Sequence, residues 1–197
     1  MPNGPRLTKF AAVFIAALKA LSLTAEAQSP SPANGSVSDS VLFRKVVVPI
    51  SMVHRFFPEV TRKASTGRNL TAVANAHATR SVIYINSDSY RKVTITVDQY
   101  PTTSDASSAY QEAVTKSKTV PGFKAVPAKN LGPDAFVGSV TQGKETHIGV
   151  GTLHGTLIVG ATLAGYDPMP ENIAKLISLT HEEERVAIAA MDRKSQK

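Results

Sequence analysis

Hydrophobic and polar positions alternate most cleanly in two stretches of the chain. In Lys92–Tyr100, KVTITVDQY, Val93, Ile95 and Val97 take one side and Thr94, Thr96 and Asp98 the other. A period of two predicts a half-buried strand. With Ser81–Asn86, SVIYIN, and the polar turn Ser87–Tyr90 it predicts a hairpin, one face in the core and the other wet or lightly covered. The second stretch, Lys144–Asp167, carries a β pattern on both sides of His154-Gly155. A two-residue turn at that dipeptide sets a register: Gly151 opposite Ile158, Gly149 opposite Gly160 and His147 opposite Thr162, with Val150/Val159 and Ile148/Ala161 on the reverse. One face of this hairpin is strongly apolar and the other is nearly bare at its centre.

Elsewhere the period switches. In Thr102–Lys118, Ala106, Ala109, Tyr110, Ala113, Val114 and Ser117 recur at helical spacing, with Ser104 or a neighbouring Thr as cap. The stripe is narrow and built of small residues, which allows close approach to whatever lies beneath. Asp167, Pro168, Pro170 and Glu171 form a helix-start cluster, and Ile173, Leu176, Ile177 and Thr180 continue one face. His181–Arg185, HEEER, is polar all round, so the core-facing helix is expected to end there, with Val186–Met191 able to extend it and Arg193–Lys197 fraying. Val41–Val48 is β-branched and predicts a strand, Pro49 opens a short helix over residues 50–57, and Pro58 stops it. Glu59–Thr79 shows no sustained period and predicts loop with short strands; Phe123–Val126 and Ala135–Thr141 predict further strands. The order of elements is strands, helix, a three-stranded meander, helix. That order predicts an α+β domain with a twisted antiparallel sheet and helices packed on it, rather than a βαβ nucleotide-binding fold.

The first 27 residues stand outside this pattern. Arg6 and Lys9 precede a short apolar core, Phe10–Leu18, and Ala25-Glu26-Ala27 is an A-x-A cleavage signature, so 1–27 is expected to be a signal peptide. Lys19 breaks the apolar run, which is too short for a transmembrane span of about 20 residues. Gln28–Ser40 is rich in Ser and Pro and predicts a disordered linker, leaving 41–190 as a single domain and 191–197 as a frayed tail. Without cysteine the chain has neither a disulfide framework nor a lipid-modified cysteine at the cleavage point. Removing Arg6, Lys9, Lys19 and Glu26 changes the formal charge from +7 to +5, a mild basic excess suited to screened attraction toward anionic envelope polymers or lipid headgroups. Localisation is expected to be periplasmic or secreted. Secretion argues against nucleic acid as a partner and leaves an envelope protein or a small ligand.

Candidate chemistry is sparse. Gly149–Gly155, GVGTLHG, has glycines near the spacing of a dinucleotide loop, but a β pattern follows instead of the required helix N-terminus, so no cofactor is expected. The glycines instead keep one sheet face flat for a helix, another backbone or a ligand. His147 and His154 lie on one strand, roughly 23 Å apart, and cannot share a metal; His54, His77 and His181 have no partner at ligand spacing. No metal site is expected. There is no G-x-S-x-G elbow, and Asp98, Asp134 and Glu145 are the acids placed to approach His147 from neighbouring strands. The candidate ligand-binding residues are therefore His147, Gly149, Gly151 and Gly160, with no catalytic residue assigned.

Three stretches, KVTITVDQYPTTSDASSAYQEAV, NLGPDAFVG and THIGVGTLHGTLIVGATLAG, resemble a group of small uncharacterised secreted bacterial proteins. More distantly, the layout from Val41 to Leu179 is similar to PsbP-like domains and to extracytoplasmic modules of some actinobacterial lipoproteins. The resemblance implies a sheet with helices and a non-enzymatic accessory, sensing or binding role, and carries no catalytic motif. The leading expectation is an accessory or binding module of the bacterial cell envelope. The alternatives are a hydrolase or metal-dependent enzyme with a site assembled from dispersed residues, and a self-associating structural protein.

Overall fold

The computed structural model describes residues 46–68, 76–127, 135–143 and 145–195. The elements in chain order are α1 (Ile50–Phe56), β1 (Arg62–Arg68), β2 (Ala78–Ile85), β3 (Lys92–Gln99), α2 (Thr103–Lys118), β4 (Phe123–Ala125), β5 (Ala135–Gln142), β6 (Glu145–His154), β7 (Leu157–Ala164) and α3 (Pro170–Ser195). The strands form one antiparallel sheet in the order β1-β2-β3-β7-β6-β5-β4. The α+β architecture is the one the alternating and helical periods predict. The expected linker, residues 28–40, and the signal segment lie outside the described residues.

One face of the sheet presents Val82, Tyr84, Val93, Ile95, Ala161, Leu163, Ile148, Val150 and Val137, and α1 and α3 pack on it through Val53, Leu176 and Leu179. We call this the α3 face. The opposite or α2 face meets α2, whose Ala106, Tyr110 and Ala113 cluster with Tyr100 and Ile158. Thr102 caps α2: its hydroxyl oxygen accepts the Asp105 N–H at 3.1 Å, and the buried residues Ala106, Tyr110, Ala113 and Ser117 follow at i, i+4, i+7 and i+11.

The structure departs from the sequence pattern at five places. The β6–β7 turn is Gly155-Thr156, not His154-Gly155, and His154 pairs with Leu157. Gly155 takes φ +56° at the first turn position, where a type II′ turn requires glycine. Because the shift moves both strands, every side chain keeps its expected face but changes partner: Gly151 stands opposite Gly160, and His147 opposite Ala164. Second, the polar side of β3 is not wet, since Thr94, Thr96 and Asp98 are all buried. A central strand has neighbours on both sides, and here both faces are covered as well. Third, among the described residues of the expected strand 41–48, Val46–Val48 forms none. Side chains satisfy its backbone instead, as the Val48 N–H donates to Glu183 Oε2 at 2.8 Å and the Tyr84 hydroxyl donates to the Val48 carbonyl at 2.6 Å. Fourth, Glu59–Thr79 contains a seven-residue edge strand, β1, bulged between Lys63 and Ser65. Fifth, HEEER is not polar all round: Glu183 is fully buried and Ala187 continues the core-facing stripe, in one helix that runs to Ser195. A glutamate on the buried stripe is tolerated because the Val48 amide meets it.

Candidate functional site

The α2 face is where the expected site residues gather. His147, Gly149 and Gly151 on β6 and Gly160 on β7 share it with Thr94, Thr96 and Asp98 of β3, and all of them are buried. Strand alternation places them there, and the missing Cβ atoms of the facing Gly151 and Gly160 leave a flat floor. Tyr110 of α2 lies over part of that floor. Its hydroxyl donates to the Gly151 carbonyl at 3.1 Å, and a Cβ built on Gly151 would stand 3.7 Å from the tyrosine ring. At Gly151 the bare face therefore receives a helix, with an aromatic rather than the alanines of the stripe making the contact.

Toward the β2–β3 side the face is polar. The Thr96 hydroxyl donates to Ser81 Oγ at 3.2 Å, and the Thr79 hydroxyl donates to Asp98 Oδ1 at 2.6 Å. Asp98 is fully buried and its Oδ2 has no hydrogen-bond partner among the described residues, nor has the Tyr100 hydroxyl. Burial pushes the Asp98 carboxyl up to about 7, against the opposing effect of the Thr79 hydrogen bond. Burial, and then the nearby Asp98 and Glu112, also push the Tyr100 phenol upward.

His147 stands at the other end. Burial holds its imidazole below the ordinary value, with Glu145 opposing and Lys92 reinforcing that shift, and its Nε2 lies 3.7 Å from Glu145 Oε2. Of the acids expected to approach His147 from neighbouring strands, Asp98 does not, and Glu145 does so from β6 itself, two residues away. Asp98 pairs with Ile158 and His147 with Ala164, six residues apart along β7, roughly 20 Å at 3.3 Å per residue. Asp134 lies outside the described residues. The face thus holds a raised carboxyl and a neutral imidazole too far apart to exchange a proton.

Sequence reading missed a second meeting of polar groups. His154, at the end of β6, places Nδ1 3.5 Å from Glu184 Oε1, while His181 Nδ1 lies 3.6 Å from Glu184 Oε2. The i, i+3 spacing on α3 sets His181 beside Glu184, and only the packing of α3 against the hairpin brings His154 to them. Beside them, His181, Glu184, Arg185, Ile188, Ala189 and Asp192 line an open groove of about 390 Å³. All six come from one flank of α3, so the groove is the outer surface of a helix and not an enclosed pocket. Among the described residues no group of three or more His, Asp or Glu is placed to hold a metal ion. No helix among them is long and apolar enough to cross a membrane.

No family model matches the chain, and no curated protein does. A solved structure does: the extracellular domain of PknH from Mycobacterium tuberculosis, with a TM-score of 0.50 and 11% identity over 71% of this chain and 93% of that one. At that identity the likeness is one of fold. It places the sheet and its helices alongside those of an extracellular bacterial domain.

Proposed function

We propose that the chain is a secreted or periplasmic accessory or binding module of the bacterial cell envelope, without catalytic activity, and that its binding face is the α2 face of the sheet. The leader-like residues 1–27, the Ser/Pro-rich stretch with a single charge after them and the fold likeness to an extracellular domain support the location. The observation that carries the binding role is unused hydrogen-bonding capacity: Asp98 Oδ2 and the Tyr100 hydroxyl, both without a partner among the described residues. Buried polar atoms are ordinarily satisfied, and one that is not calls for an explanation; among the hydroxyls and glycines of this face that explanation is a further group to be received. The floor of Gly149, Gly151 and Gly160 leaves room for a small ligand once Tyr110 moves aside, and His147 bounds the face at its far end. A ligand suited to this face is small and neutral, and offers hydroxyl or amide groups.

The test is a ligand titration followed by amide NMR on the isotopically labelled chain. Shift changes confined to Gly149, Gly151, Gly160 and Asp98 support the reading. Ligands that shift other residues only, or turnover of any compound that is lost on substituting His147 or Asp98, overturn it.

A further inference from the structure

The positive charge of the chain is not spread evenly. Between Ile50 and Gln99 seven Lys and Arg stand against three acids, whereas from Tyr100 to the C-terminus ten stand against ten. The excess belongs to the β1–β2–β3 half of the sheet, and one of its three acids, Asp98, is buried on the α2 face. At the end of that half where β2 turns into β3, Arg62 and Lys63 are exposed on the edge strand and Arg91 on the turn. Burial and then the like charge of Arg80 hold the Lys63 amine below its ordinary value.

The turn itself is built rigid. Asn86 and Arg91 pair through the Asn86 N–H at 3.1 Å, and Asn86 Oδ1 accepts the Arg91 N–H at 3.0 Å. Asp88 Oδ1 accepts the Tyr90 N–H at 2.8 Å, and the Arg62 guanidinium donates to Ser89 Oγ at 2.9 Å. Ser89 holds φ +64°, the one positive φ at a non-glycine among the described residues. At the end of the turn the Arg91 guanidinium lies over the ring of the core residue Tyr166, 5.3 Å from its centroid, and the turn leaves Tyr90 60% exposed. The Tyr90 ring lies beside Gly165, where a Cβ would stand 3.2 Å from Cδ1, and four residues further on is Met169, the other exposed large hydrophobic residue at 57%.

We propose that this tip is a docking site for an anionic lipid surface, with Tyr90 and Met169 at headgroup level and Arg62, Lys63 and Arg91 facing the phosphates. An aromatic with a polar end beside cations suits the membrane interface. Of the neighbouring acids, Asp88 accepts the Tyr90 N–H and Glu59 lies 3.6 Å from Arg91, while Asp167, between Gly165 and Met169, is exposed. An acidic extended peptide fits less well, because the bulge in β1 interrupts the edge to which it would add. This site lies apart from the α2 face and goes beyond the binding role proposed above.

The experiment is vesicle sedimentation of the full chain and its Tyr90→Ala, Arg62→Ser and Met169→Ser variants, with circular dichroism as a check on folding. Phosphatidylcholine vesicles are compared with vesicles carrying phosphatidylglycerol. Since residues 1–27 are common to every sample, the readout is the difference between the two vesicle types. The expected result is salt-sensitive preference for the anionic vesicles, reduced at least fivefold by Tyr90→Ala and by Arg62→Ser. Equal partition to both vesicle types, or a preference that Tyr90→Ala leaves unchanged, overturns the proposal. Binding to dextran sulfate with no anionic-vesicle preference assigns the charge to polymers and overturns it as well.

Discussion

On the α3 face, Ile148, Val150, Ala161 and Leu163 meet Leu176 and Leu179, while one residue away on the same strands His147, Gly149, Gly151, Gly160 and Thr162 form the α2 face. Each face also takes in a carboxylic acid, Glu183 on the first and Asp98 on the second, each with one oxygen bonded and the other not. The difference lies in what surrounds the acid. Glu183 sits in an apolar layer and holds a backbone segment in place, so its role is structural. Asp98 sits among hydroxyls and glycines, where its free oxygen is capacity for a partner. The apolar face therefore carries the stability and the polar face carries the options.

The largest effect expected from that contrast is in packing. Leu163→Ala removes a fully buried side chain from the α3 face and is expected to cost about 3 kcal/mol, whereas Leu153→Ala on the half-buried rim of the α2 face costs about 1 kcal/mol. Urea unfolding of both variants measures the gap; equal losses would mean that the two faces share the core evenly.

The paired acids make a second test, with a definite sign. Asp98 is raised from 3.8 to about 7 and Glu183 from 4.5 to about 8, in both cases chiefly by burial. The folded protein keeps protons that the unfolded chain has already released, so stability is fully present below about pH 4 and is lost as pH rises through 7 and 8. The loss is on the order of 4 kcal/mol per acid. His147, held below 6.5, acts in the opposite sense at acid pH, but it is one group against two. Thermal unfolding from pH 5 to 8.5 should show a falling midpoint. Asp98→Asn and Glu183→Gln should each flatten the fall by part, and a midpoint that rises over this range would contradict both assignments.

Glycines sharpen the comparison at smaller scale. A Cβ on Gly138 would stand 2.3 Å from the Phe123 ring, itself stacked on Phe136 at 5.6 Å, while a Cβ on Gly151 would meet Tyr110 at an ordinary 3.7 Å. Gly138→Ala is therefore expected to cost about 2 kcal/mol and Gly151→Ala less than about 1 kcal/mol, read by the same unfolding. A costly Gly151→Ala would mean that the floor beneath Tyr110 is tighter than the contact distance implies.

The legible parts of this protein are those where local pattern and tertiary packing agree. Val93, Ile95 and Val97 alternate because β3 is a strand with an apolar side, and Thr102, Ala106 and Tyr110 fall at helical spacing because α2 caps and buries there. The face assignment of the glycines survived even an error in the turn, since moving the turn by one residue shifts both strands and preserves parity. What was not legible depends on distant groups. Arg62–Arg68 lacks alternation because an edge strand can remain polar, and Glu183 belongs to the core only because the Val48 amide, 135 residues away, needs an acceptor. The same holds for Asp98 and His147: the pattern put them on one face, and only the register showed them at opposite ends of it.

The hydroxyls of Tyr84 and Tyr110 offer the smallest test and the most direct one. Each donates across a layer to a backbone carbonyl, Tyr84 to Val48 at 2.6 Å on the α3 face and Tyr110 to Gly151 at 3.1 Å on the α2 face. Tyr→Phe keeps the ring and deletes the bond. Losing a buried hydrogen bond is expected to cost about 1 kcal/mol at either site, so total stability will hardly distinguish them. Local opening will. Deleting the Tyr84 hydroxyl frees the carbonyl of a segment that no strand supports, and hydrogen exchange at Val48 and its neighbours should quicken. Gly151 remains paired on both sides, by β5 and β7, so its exchange should hold while that of the α2 backbone around Tyr110 quickens. Faster exchange in β6 after Tyr110→Phe would show that α2 helps to hold the sheet together, and would remove the distinction between the two faces at its finest point.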